Sequence, residues 1–192
     1  MSSEVEICRM ALDLLGDYAI SDLLEDTKQA RLCRRNYEPM RDAVVRAHPW
    51  NCAQTRAALP KDSEAPAFGW GYQYTMPADA LRVLPLTREG AFDGDPVRHV
   101  IEGRKILTNH DAPLPVIYMR RVTDAAVFDP LMAHAISARL AWQIAFNLTG
   151  SRSKQEQVAQ AYRGIMTEAR KIDGMEGTPQ PPVDSVWERS RY

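Results

Sequence analysis

Asp129-Pro130-Leu131-Met132-Ala133-His134-Ala135-Ile136-Ser137-Ala138-Arg139-Leu140-Ala141-Trp142-Gln143-Ile144-Ala145-Phe146-Asn147-Leu148-Thr149-Gly150 is the stretch that decides the fold. Asp129 offers a carboxylate to the unpaired N–H groups of a helix start, and Pro130 suits the first helical position, where the donor it lacks would have no partner. Leu131, Ala135, Ala138, Trp142 and Ala145 form one apolar face, with Ile136, Leu140, Ile144 and Leu148 on an adjoining one. A helix this apolar around its girth belongs at the centre of a core. Gly150 ends it. Downstream, Ser153-Lys154-Gln155-Glu156 has the spacing of a capping box, and Val158, Ala161, Tyr162, Ile165, Ala169 and Ile172 mark the inner face of a partner helix. The short linker predicts an antiparallel helical hairpin over 129–172.

Upstream, residues 1–60 read as the N-terminal helices of the same bundle. Val5, Cys8, Leu12 and Leu15 recur at three- and four-residue intervals, and Gly16 supplies a C-cap. Asp26 with Gln29 resembles a capping pair for a second helix, whose stripe is Ala30, Cys33, Tyr37, Met40, Val44 and Ala47. Pro39 should kink that helix or divide it in two, and Pro49 stops it.

Between the helical blocks, residues 68–120 change character. Gly69-Trp70-Gly71-Tyr72-Gln73-Tyr74-Thr75 and Leu81-Arg82-Val83-Leu84-Pro85-Leu86 are short runs of aromatic and branched residues, which favour strands. His99-Val100-Ile101 and Lys105-Ile106-Leu107 flank Glu102-Gly103-Arg104, a tight hairpin with glycine at positive φ, and Pro115-Val116-Ile117-Tyr118-Met119 makes a further strand. The expected class is α+β: a mainly helical bundle with a small antiparallel β-region inserted between its N- and C-terminal helices.

Beyond Ile172 the helical period fades among Gly174, Gly177, Pro179, Pro181 and Pro182, and residues 173–192 read as an extended arm. Val183, Val186, Trp187 and Tyr192, with Arg189 and Arg191, are more apolar than a solvating tail requires. The arm is therefore expected to dock on a neighbouring subunit or partner, with Trp187 and Tyr192 as anchors and Arg189 and Arg191 as polar support. Arg104, at the hairpin tip, is the other candidate assembly contact.

The whole chain has 192 residues, is 45% apolar, and balances 24 Lys and Arg against 25 Asp and Glu for a formal charge of -1. That length suits one domain with a small appendage. The balance excludes nucleic-acid binding driven by net charge while leaving a local basic patch open. No run of residues is apolar and long enough to cross a membrane, and Met1-Ser2-Ser3-Glu4-Val5-Glu6 lacks the basic start of a signal peptide. The protein is expected in the cytosol unless an assembly carries it elsewhere. Cys8, Cys33 and Cys52 are too few and too widely spaced for a disulfide framework and should be reduced thiols in or near the core.

Candidate chemistry is sparse. No glycine-rich phosphate loop is present, and His48, His99, His110 and His134 are scattered with no metal-ligand spacing. A Cys52–His48 hydrolase would need a tertiary contact that no motif announces. Asp22, Glu25 and Asp26 beside Lys28, Arg31, Arg34 and Arg35 read as helix-end electrostatics. Arg31, Arg34, Arg35, Arg41 and Arg46 spread around a helix, which favours ion pairs between subunits over DNA readout. No catalytic, cofactor-binding or metal-ligating residue is assigned.

Several pieces in order resemble one family. They are Ala11-Leu12 to Gly16, Ile20-Ser21-Asp22-Leu23, Arg41-Asp42-Ala43-Val44, His48-Pro49-Trp50-Asn51-Cys52-Ala53, Phe68-Gly69-Trp70, Tyr72-Gln73-Tyr74, Pro77-Ala78-Asp79, Leu81-Arg82-Val83-Leu84, Ile101-Glu102-Gly103 and Phe128-Asp129-Pro130. Through them the chain resembles the tail tubular protein A family of tailed bacteriophages, head-to-tail adaptors that form a ring below the portal. The resemblance implies a structural, non-enzymatic protein with no cofactor, in a ring of about twelve identical subunits. It implies a portal above, a nozzle or stopper below, and double-stranded DNA passing through without sequence readout. It places the protein in the virion neck or tail, and in the host cytoplasm during assembly. The alternative is a free helical binding or regulatory protein with a β-insert.

Overall fold

Asp129 does what its position before Pro130 predicts: its carboxylate accepts from the N–H groups of Leu131 at 2.8 Å and Met132 at 3.4 Å, and the central helix runs from there to Gly150, at φ 64. In the computed structural model, which describes residues 3–88, 90 and 94–176 (side chains through 172), this helix is the third of four. The element order is α1 (Glu4–Leu15), α2 (Lys28–Ala47), β1 (Gln54–Leu59), β2 (Tyr72–Thr75), β3 (Ala80–Val83), β4 (His99–Glu102), β5 (Lys105–Thr108), β6 (Leu114–Arg120), α3 (Pro130–Thr149) and α4 (Arg152–Glu176). The fold is α+β, with N- and C-terminal helices flanking a small antiparallel β-region.

Helix starts differ from the expected ones by one or two residues. Thr27, not Asp26, caps α2 by accepting from Ala30 N–H at 3.1 Å. Asp26 instead pairs with Arg31, and Gln29 donates to Asp17 at 3.0 Å. Ser151, not Ser153, caps α4 through Lys154 N–H at 3.2 Å. The inner face of α4 is correspondingly rotated: Val158, Ala159, Met166 and Ala169 are buried, whereas Ala161 and Ile172 are exposed. Helix α4 also continues through Gly174 to Glu176, four residues into the stretch read as an arm. Pro39 neither ends nor divides α2, which is continuous from Lys28 to Ala47. Arg35 and Pro39 lie on the exposed side, where water can serve the carbonyl that proline leaves unpaired.

The β-region contains two three-stranded sheets, β1-β6-β3 and β2-β5-β4, where one was expected. Strand β1 falls inside the stretch read as helical. Its alternating residues Thr55, Ala57 and Leu59 sit opposite Tyr118, Val116 and Leu114 of β6. Alanine favours helix intrinsically, so pairing with β6 overrides local propensity here. The β4–β5 hairpin turns at Gly103, at φ 58.

Two cores result. The larger joins α1, α2 and α4 around α3 and takes in Trp50 and Met119; the smaller gathers Leu59, Leu114, Val116 and Tyr118 of one sheet with Tyr74 and Ile106 of the other. Cys8 and Cys33 are fully buried in the first, and Cys52 is half-buried in a 3-10 turn, Asn51–Ala53. A hydrogen bond with Cys33, reinforced by burial, holds the Cys8 thiol far above its ordinary pKa. In the native protein an aromatic disulfide reagent should therefore titrate Cys52 alone, with Cys8 and Cys33 reacting only in denaturant. Rapid reaction of all three without denaturant would contradict this packing.

Candidate assembly surfaces

The β4–β5 hairpin is tied to its own chain. Arg104 donates from its guanidinium to the carbonyls of Pro77 and Ala80, and its own carbonyl accepts from Met76 N–H at 2.9 Å. The hairpin's open apolar surface is instead Val100 and Ile101, 41% and 45% exposed, and Phe68, in the loop between β1 and β2, is 87% exposed. Lys105, on β5, binds Asp62 and Thr75. Burial pushes the Asp62 carboxyl up, but hydrogen bonds from Lys105 and Thr75 outweigh it and hold the pKa below the ordinary range. Trp187, Arg189, Arg191 and Tyr192 lie outside the described residues.

The basic run on α2 is divided by its surroundings. Arg41 is 2% exposed, pairs with Asp42 at 2.9 Å and lies 5.9 Å over the Tyr37 ring. Asp42 also receives Arg121 Nε at 2.7 Å, which joins α2 to the residue after β6. Arg46 donates to the Leu81 carbonyl, and Arg82 returns a bond to the Arg46 carbonyl at 3.3 Å. These arginines fasten the helices to the β-region. The acids before α2 shape a loop: Glu25 accepts from the N–H groups of Ser21 and Asp22 at 2.6 and 3.0 Å, and Asp22 accepts from Leu24 N–H at 2.6 Å.

Three surface hollows differ in the chemistry of their lining. One of about 290 Å³ lies among Phe68, Trp70, Gln73, Lys105 and Leu107. A second, of about 310 Å³, is lined by Met10, Asp13, Leu14, His134, Ser137 and Ile165, and a third, of about 380 Å³, by Lys28, Arg31, Arg35 and Asn147. The second brings a serine, a histidine and an aspartate to one hollow, but Ser137 Oγ donates to the backbone carbonyl of His134 at 2.8 Å rather than to its ring. His48 caps the C-terminus of α2 and meets the Trp50 ring edge-on at 4.8 Å, whereas Cys52 Sγ lies 3.5 Å from Met132 Sδ. His99 and His110 contact the carbonyls of Val97 and Asp111, each at 2.8 Å. Among the described residues no group of three or more His, Cys, Asp or Glu side chains is placed to hold a metal ion.

Arg163, Arg170 and Lys171 read from sequence as possible basic points along a DNA channel, unassigned to any site, whereas the stacking of Arg139 and Arg152 on aromatic rings in the seam between α3 and α4 has no counterpart there. The Arg139 guanidinium lies 4.3 Å over the Trp142 ring and 5.9 Å over Tyr162, and Arg152 lies 6.0 Å over Phe146. Burial raises the Tyr162 hydroxyl's pKa, while Arg139 and Arg170 pull it back. Helical periodicity assigns Trp142 and Tyr162 to the core, and both do pack against it; the stacking depends on a contact across helices. The available signal was the row of cations at 139, 152, 163 and 170. Compared with known proteins, the chain matches no family model and no curated protein.

Proposed function

We propose that the chain is a structural head-to-tail adaptor of a tailed bacteriophage. It joins a closed ring of about twelve copies between the portal and a tail nozzle or stopper, and conducts genomic DNA during packaging and ejection. The observation that supports this most is the element order, a helical bundle interrupted by a small antiparallel β-region, together with the ordered motifs that resemble the adaptor family. Large exposed apolar side chains also occur in separate parts of the chain: Leu14, Tyr18 and Leu24 around the end of α1, and Phe68, Val100 and Ile101 in the β-region. A ring subunit needs several unlike surfaces, two for its neighbours and others for the rings above and below, because a rotational contact is heterologous. The chain acts in the virion neck, after assembly in the host cytoplasm.

The test is a reconstruction of the neck with symmetry determined independently, paired with a chain ending at Glu176. The shortened chain should keep the full-length melting temperature and lose binding to the portal or to a neighbouring copy, because Trp187 and Tyr192 are removed. Unchanged assembly by the shortened chain would refute the arm's role. A protein found only as a monomer or dimer outside the particle would favour the free binding module.

A further inference from the structure

The α3–α4 hairpin carries a local excess of positive charge. Between 130 and 172 it has six cations, Arg139, Arg152, Lys154, Arg163, Arg170 and Lys171, against two carboxylates, Glu156 and Glu168, in a chain whose overall charge is -1. Among the described residues, none of Arg139, Arg152, Arg163 and Arg170 forms an ion pair. Spacings of eleven and seven residues bring Arg152, Arg163 and Arg170 back to one side of α4. At about 1.5 Å per residue they span roughly 27 Å. Arg139 reaches the same seam from α3, held against Trp142 and Tyr162, and Arg152 lies over Phe146. Stacking orders a guanidinium without consuming its hydrogen-bond donors, so these donors stay available to an anion.

We infer that this seam is a contact surface for the phosphate backbone of duplex DNA. A duplex presents a negative charge about every 1.7 Å of its axis, so a row of guanidinium groups spaced along a helix meets phosphates wherever it lies and reads no base. A second copy of the chain fits less well, because many of its carboxylates have partners of their own. Asp22 and Glu25 shape a loop, Asp42 holds two arginines, Asp62 holds Lys105 and Asp129 caps α3. The adaptor reading supplies only the source of the duplex; the seam itself rests on the charge and stacking above.

The test is fluorescence anisotropy of a labelled 20-base-pair duplex titrated with full-length protein at 50 and 200 mM salt. Binding should be independent of base sequence and weaken steeply between the two conditions. The double variant Arg163→Gln/Arg170→Gln alters only exposed side chains and should keep the native melting temperature. It should bind at least about tenfold more weakly at 50 mM, and its salt slope should fall by about 1.8, since each lost phosphate contact removes about 0.9. Arg139→Gln should weaken binding in the same direction. Equal binding by the double variant, no binding by the native chain at 50 mM, or sequence-selective binding that persists at 200 mM would each overturn the inference. So would a change in oligomer mass by the double variant with its DNA titration unchanged, which would assign the seam to a second copy. Ring formation in the neck without DNA binding would overturn this inference alone, whereas DNA binding by a chain that enters no particle would overturn the adaptor reading alone.

Discussion

Trp50→Ala should remove about 3–5 kcal/mol of folding stability, the range for truncating a large aromatic in a packed core. Trp50 has no exposed surface, and its indole N–H donates to the Val44 carbonyl at 3.0 Å. Val44 lies in the last turn of α2, which ends at Ala47. The indole therefore does two jobs: it fills the space between helix end and β-region and ties the turn after α2 back to that carbonyl. Alanine undoes both and also removes the ring that His48 meets edge-on. A domain of this size is stable by about 5–15 kcal/mol, so the variant should be near the limit of folding. Urea unfolding should show a large drop in midpoint, and Trp50→Phe should recover most of it apart from the roughly 1 kcal/mol of the lost hydrogen bond. A loss below about 1 kcal/mol for alanine would mean that the pocket collapses around the gap.

Where local chemistry dictates structure, the chain was legible. Asp129, Pro130 and Gly150 mark both ends of α3 because capping and positive φ are properties of single residues, and Gly103 announces its hairpin for the same reason. Strand β1 was not legible, since Ala57 and Ala58 favour helix and only the facing residues of β6 make Gln54–Leu59 a strand. Nor does any local signal say that six strands divide into two sheets, because that division depends on β6 choosing β1 and β3 as neighbours while β5 chooses β2 and β4.

The surfaces followed the same rule. Arg104 at a hairpin tip reads as exposed and available, but the 77–80 turn lies within reach of its guanidinium, a contact between distant residues. The Arg139 stack is half legible: Trp142 is three residues away on the same helix, whereas Tyr162 arrives only through the packing of α4. Charge in sequence is thus a poor guide to charge on the surface. Arg41 and Arg139 look alike in the chain, yet one is buried on a carboxylate and the other is left with its donors open.

That contrast makes Asp42→Ala the most informative change in the helical half, with an expected cost of about 3–5 kcal/mol. Arg41 is almost fully buried, so its guanidinium cannot recover solvation when the carboxylate is removed, and the Tyr37 ring at 5.9 Å replaces little of the lost attraction. The second bond of Asp42, to the half-exposed Arg121, contributes less because water and salt screen it. It nonetheless fixes the chain just after β6 to α2, so its loss should loosen the junction between bundle and β-region. Two further variants separate the contributions. Arg121→Gln should cost about 1 kcal/mol or less, as an exposed pair does. Arg41→Met with Asp42→Ala should be more stable than Asp42→Ala alone, because the stranded charge is gone and an unbranched apolar side chain takes part of its volume. Hydrogen exchange at β6 and at the last two turns of α2 should quicken in Asp42→Ala while the centre of α3 stays protected until global unfolding. If Asp42→Ala matched the native chain in urea, Arg41 would have to reach water or another anion, and the buried pair would not be what joins the two halves of the fold.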